Sequence, residues 1–162
     1  AYTAAANYYA GFIEFSEEKY DEALTDLKKA ETNEAYQSIV PYLIASIYYR
    51  KGQYDELLKY AEKVMALESL KNRKELSLLV AESYYAKGNF IKAAELYNQS
   101  LSDKSLGDAA IWYRAGICND KAGNQEEAIR LLELSANTSD PIAYAASYQL
   151  GIVYLQSGQK AY

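Results

Sequence analysis

Five times along this chain a small residue is followed seven positions later by a turn-forming site. The small residues are Gly11, Ala45, Ala81, Gly116 and Gly151, at spacings of 34, 36, 35 and 35. The turn sites are Glu18, Gly52, Gly88, Gly123 and Gly158. Two residues further on stand Tyr20, Tyr54 and Phe90 in the first three repeats, and Gln125 and Lys160 in the last two. Between these marks apolar residues recur at steps of three and four, the helical period. A period near 34 of this kind belongs to stacked helical hairpins, each unable to bury its apolar face alone. No segment alternates with period two, so strands are not expected.

The pattern predicts an all-α chain of nine helices, near 3–17, 20–31, 36–50, 54–68, 72–87, 90–102, 106–122, 125–137 and 141–157. Pro41 lacks an amide proton and fits only a first turn, so the firm part of the third helix is expected from about Ser38, after an irregular turn. Ser105-Leu-Gly-Asp108 has the spacing of a capping box. Asp140-Pro141 sets a good N-cap before a proline suited to the first helical position. Short links imply antiparallel neighbours. The mid-helix glycines would otherwise weaken their helices, so each is expected to admit a close second helix.

Composition narrows the chemistry. The chain has no His and one Cys, Cys118, so no catalytic metal or cofactor site is expected. Cys118 sits in a helical pattern and reads as a small buried hydrophobe. The net charge is −5 with no basic block, which does not suit a phosphate backbone, and nucleic acid is not expected as a partner. No apolar run is long enough to cross a bilayer. Glu17-Glu18 and Glu126-Glu127 are acid pairs that read as helix starts, favoured by the helix dipole rather than by catalysis. The chain is not expected to be an enzyme. It opens into a helical pattern without Met and stops at Gly158-Gln-Lys-Ala-Tyr162, which reads as a piece of a longer repeat protein.

The fourth repeat carries Trp112, Ala115-Gly116, Gly123 and Ala128. The third carries Val80-Ala81, Tyr84, Gly88-Asn-Phe90, Ala93 and Tyr97; the second carries Ile44-Ala45, Tyr48 and Gly52-Gln-Tyr54. The first has Gly11, Tyr20-Asp-Glu-Ala23 and Ala30, and the fifth has Leu150-Gly151, Tyr154 and Gly158. Glu14 and Asn119 depart where Tyr48, Tyr84 and Tyr154 stand in the other repeats. With these residues the chain resembles the tetratricopeptide repeat (TPR) family over nearly all its length. The resemblance implies a right-handed α-solenoid of about four and a half helix pairs. It would run as one array over 1–162, with repeats near 4–37, 38–73, 74–108, 109–143 and 144–162. The Tyr-Tyr doublets and the absence of His also resemble large repeat proteins of bacterial cell envelopes, which implies a periplasmic or envelope location.

In this family the first helix of each pair lines a concave face, and that implies a site. The stripe at i, i+4 and i+7 reads Tyr8, Phe12, Phe15; Tyr42, Ser46, Tyr49; Leu78, Glu82, Tyr85; Tyr113, Ile117, Asp120; and Tyr148, Ile152, Leu155. In Tyr48-Tyr49 one ring is expected in the hairpin seam and the next in the groove. Arg50, Glu82, Arg114, Asp120 and Lys121 are charges placed to orient a ligand. With 18 Tyr against 3 Phe, the rings keep polar tips suited to a wet groove. The expected function is a non-catalytic scaffold that docks a partner protein or peptide there, a glycan being the alternative ligand. Lys and Asn are not at the stripe positions that the family's terminal-carboxylate clamp uses. The fifth first helix is expected to expose Leu150 and Tyr154, and the chain to self-associate end to end.

Overall fold

The computed structural model describes residues 3–158, in which nine α-helices and one 3₁₀ turn form and no strand does. The helices are α1 (Ala4–Ser16), α2 (Tyr20–Glu31), α3 (Val40–Arg50), α4 (Tyr54–Val64), α5 (Arg73–Ala86), α6 (Phe90–Ser100), α7 (Ala109–Lys121), α8 (Gln125–Ala136) and α9 (Ile142–Gln156). The sequence boundary at Gly158-Gln-Lys-Ala-Tyr162 falls mostly outside the described residues. The chain folds as two compact units, Ala1–Ser83 and Tyr84–Tyr162. In the first, α1 packs on α2, α2 on α3, α3 on α4, and α1 touches α3. In the second the same scheme recurs: α6 on α7, α7 on α8, α8 on α9, with α7 touching α9. Each unit therefore joins a hairpin to its successor through both the preceding second helix and the preceding first helix.

The hairpin turns repeat one geometry. The turn residues Glu18, Gly52, Gly88, Gly123 and Gly158 all have positive φ, between 56 and 84° with Asn72 included. In the first four turns the next amide bonds back to a residue of the last helical turn: Lys19 N–H to Glu14 O, Gln53 to Tyr48, Asn89 to Tyr84 and Asn124 to Asn119, at 2.8–2.9 Å. Together with the bond from the turn residue's own amide, this is a Schellman closure, which satisfies carbonyls that a helix end leaves open. Glycine adopts that conformation freely, whereas Glu18, at φ 61°, bears the Cβ penalty. Glu17 and Glu18 thus end α1 rather than start a helix, contrary to the sequence expectation. Glu126 and Glu127 do lie in the first turn of α8, as Asp21–Glu22 and Asp55–Glu56 do in α2 and α4.

Other boundaries move for local reasons. Residues 34–39 are turns, and α3 starts at Val40, with Pro41 in its first turn. The Ser105 capping box does not form. Ser105 donates its hydroxyl to Asp103 within the 3₁₀ turn Lys104–Leu106, and Asp108 caps α7 by accepting the Ile111 amide at 2.8 Å. Asp140 accepts the Ile142 amide at 2.9 Å, but α9 begins at Ile142, so Pro141 rather than Asp140 holds the N-cap position, one residue later than expected.

Within each unit the mid-helix glycine does admit a second helix. A Cβ built on Gly11 would lie 2.7 Å from Leu27 Cγ, and one on Gly116 would lie 2.7 Å from Leu132 Cγ. Leu27 and Leu132 are fully buried. A Cβ on Gly151 meets nothing within 4 Å.

Candidate functional site

In the first unit stripe residues on α1 and α3 make local ring contacts. Tyr8 stacks on Tyr36 (4.9 Å between centroids) and lies 6.4 Å from Phe12. Phe15 meets Tyr20 edge-on at 6.1 Å, and Tyr49 meets Tyr54 edge-on at 5.9 Å. Arg50 lies over the Phe15 ring at 5.1 Å and donates from Nη1 to the Tyr20 hydroxyl at 3.3 Å. Phe12 is 47% exposed; Tyr8, Phe15, Tyr42 and Tyr49 are half-buried, and Arg50 is exposed. Tyr48 is buried and meets Tyr60 of α4 edge-on at 6.0 Å, so the doublet divides between seam and surface as its 100° offset requires. Leu78 is half-buried. Glu82, expected to orient a ligand, is instead only 7% exposed, and Ser46 of the stripe is buried as well.

The second unit repeats the motif. Tyr85 meets Phe90 edge-on at 5.7 Å, with Arg114 over the Tyr85 ring at 6.0 Å and Lys121 over the Phe90 ring at 5.0 Å. Lys121 and Phe90 share a cleft of about 520 Å³ with Lys87, Asn89 and Ile91. Tyr113 is half-buried against the core of Leu132, Ala146 and Val153. Ile117 and Asp120 are half-buried, and Tyr148 is 74% exposed. Three hairpins therefore hold a ring of the first helix edge-on against the ring that opens the second helix, and in the first and third of them a cation from the next first helix lies over a ring. Such a cation adds about 0.5–1 kcal/mol at an exposed site. Tyr36 and the cation placement were not read from the sequence; the cations lie some 30 residues from their rings, beyond any local period.

The open face of α9 is also not the expected one. Leu150 packs on the Leu132–Val153 core, and the Tyr154 hydroxyl donates to Glu133 at 2.7 Å, which raises the Tyr154 pKa. Tyr144 (85% exposed), Tyr148 and Leu155 (78%) face out instead, on the side of Gly151. α9 carries no charge and is apolar nearly all round, so periodicity could not choose its inner face.

The two departures from the tyrosine position have opposite outcomes. Asn119 is fully buried and satisfied: it exchanges bonds with Asn98 at 2.9 and 3.0 Å, donates to Ala115 O at 2.9 Å and accepts from Asn124 at 3.2 Å. Glu14 keeps one carboxylate oxygen, Oε2, buried without a partner. Burial, followed by repulsion from Asp26, raises its pKa. Cys118 is buried, as expected. No cluster of metal-ligating side chains occurs among the described residues, and none of their helices is long and apolar enough to cross a membrane.

Comparison with known families agrees with this architecture. The model of the family described as anaphase-promoting complex, cyclosome, subunit 3, matches residues 50–135, just over half of the chain. The chain belongs to that TPR-like family. Solved structures extend the likeness to the whole fold. MamA 41-end from Desulfovibrio magneticus RS-1 is 17% identical, with a TM-score of 0.73 over 96% of this chain and 85% of that one. MamA AMB-1 is 16% identical, with a TM-score of 0.75 over 96% and 83%. Nearly identical TPR-like repeats of kinesin light chain type from Podosopora anserina are 19% identical, with a TM-score of 0.61 over 96% and 87%. No curated protein matches the sequence. The chain is thus an all-α TPR-like helical repeat protein.

Proposed function

We propose that this TPR-like chain is a non-catalytic scaffold that docks an extended or helical segment of a partner protein on the first-helix faces of its repeats. The observation that carries the reading is the repeated ring pair with its overlying cation: Phe15–Tyr20 with Arg50, and Tyr85–Phe90 with Arg114 and Lys121. Rings held by neighbours lose little freedom on binding, and such pre-organised aromatics often dominate protein interfaces. On other first helices or turns of the stripe Phe12 and Tyr148 offer exposed apolar area, and Tyr8, Tyr42, Tyr49 and Tyr113 offer polar-tipped rings. The test is quantitative affinity capture by the full chain and by Tyr49→Ala/Tyr85→Ala. Partners whose direct binding to the purified chain weakens at least about tenfold in the double variant support the site. Partners retained equally by both refute it. Saturable quenching by envelope glycans, with no protein partner responding to the variant, would replace a protein ligand with a glycan.

A further inference from the structure

The second unit holds a cavity of about 310 Å³ lined by no residue of the aromatic stripe. It lies between the connection from α6 to α7 and one face of α8. Leu101 and Leu131, both buried, and the more exposed Leu134 supply its apolar lining together with Trp112. The indole occupies space that Gly107 leaves open, since a Cβ there would come within 2.1 Å of Trp112 Nε1. Two cations complete the lining, Lys104 and Arg130. The Lys104 ammonium has no ion-pair partner among the described residues. Arg130 donates from Nε and Nη2 to Glu127, at 2.5–3.2 Å, which leaves Nη1 uncommitted. The nearest fixed acid in the connection, Asp103, is engaged by the Ser105 amide and hydroxyl at 3.0 and 2.6 Å.

An apolar pocket with a cationic edge is unexpected on a chain of net charge −5. Its volume is at the small end of ligand pockets, which run from about 300 to 1,000 Å³. That suits one bulky side chain better than a whole small molecule. We propose that this pocket docks an acidic peptide segment of a partner: a Phe or Leu side chain fills the space beside Trp112, and flanking Asp or Glu carboxylates meet Lys104 and Arg130.

Trp112 is the single Trp of the chain, so its fluorescence, excited at the red edge where Tyr does not absorb, reports on this pocket alone. The full chain is titrated with end-blocked peptides: Gly-Asp-Phe-Asp-Gly, its Asn-for-Asp analogue, its Ala-for-Phe analogue, and separately with 4-phenylbutyrate. The acidic Phe peptide should give a saturable change that weakens with salt. Both analogues should bind at least about tenfold more weakly. Lys104→Gln/Arg130→Gln should lose about the same factor while its melting temperature stays near that of the parent, because both side chains are exposed. Equal binding of the Asn analogue, or no saturable response to the acidic Phe peptide, overturns the proposal. Tighter binding of 4-phenylbutyrate than of the peptide also overturns it, by assigning the pocket to small acids.

Discussion

The three mid-helix glycines allow one substitution to be tested in two environments. Gly to Ala within a helix gains about 1 kcal/mol of helix propensity wherever the methyl group has room. At Gly151 nothing lies within 4 Å of the added Cβ, so Gly151→Ala should stabilise the chain by about 1 kcal/mol. At Gly116 the same methyl would sit 2.7 Å from Leu132 Cγ, 2.9 Å from its Cδ2 and 3.4 Å from its backbone nitrogen. Carbon contacts are optimal at about 3.5–4.0 Å, and a Cγ next to backbone cannot swing aside as a chain end can. Overpacking of this kind costs about 1–3 kcal/mol. Subtracting the propensity gain leaves Gly116→Ala destabilising by about 1 kcal/mol. The two variants should then differ by about 2 kcal/mol, or about 4–8 °C in melting temperature for a chain of this size. Thermal unfolding followed by circular dichroism measures both. Gly116→Ala/Leu132→Ala should cost less than the sum of its single changes, because Leu132→Ala removes the obstructing atoms. Shifts of equal size and sign at Gly116 and Gly151 would refute the view that the glycine exists to admit the second helix.

Three further outcomes follow from features of single positions. Glu18→Gly should stabilise by about 0.5–1 kcal/mol, since it relieves a left-handed residue at φ 61° but adds glycine entropy; its melting temperature against the parent decides. Asn98→Ala should cost about 1–3 kcal/mol in denaturant unfolding, because it strips bonds from the buried Asn119 amide. Tyr60 donates to Glu31, and burial first and that carboxylate second raise its pKa. A raised folded pKa means that its stabilising effect is complete below the unfolded value near 10 and is lost as pH rises above it. Between about pH 9 and about pH 11 the parent should therefore lose more melting temperature than Tyr60→Phe, and parallel pH profiles would contradict this.

Much of the architecture was legible because small residues recur at one period within helices, and at Gly11 and Gly116 the reason is the close approach of Leu27 and Leu132. The turns were legible too, since Gly52, Gly88 and Gly123 stand where a chain must reverse with positive φ. What failed turned on choices that local pattern does not decide. Ser105, Asp103 and Asp108 are all able to cap, and only the 3₁₀ turn between them assigns Asp108 to α7. Glu17-Glu18 has the composition of a helix start, yet it lies at a helix end because Glu18 holds the positive-φ turn site, seven residues after Gly11, that glycine holds in the other repeats. Glu82 reads as a surface charge by type but is buried by position. At the site, the stripe rings were nameable from spacing. Their edge-on partners open the second helix of the same hairpin, whereas the overlying cations come from the next hairpin, whose approach no window of sequence reports.

Successive hairpins of one unit meet at a recurring position, and the chemistry there changes each time. Lys28 lies over the Tyr48 ring at 5.8 Å, the Asn98 amide exchanges two bonds with Asn119, and Glu133 accepts the Tyr154 hydroxyl. Each junction works as a lock cut for its own key, so the modules are not interchangeable bricks. A chain from which the third hairpin had been spliced would set the Asn119 key against Glu62, the residue at the matching place in the second. Shuffled arrays assembled from these modules should inherit the backbone period and still seat badly, with linear order enforced by mismatched polar partners.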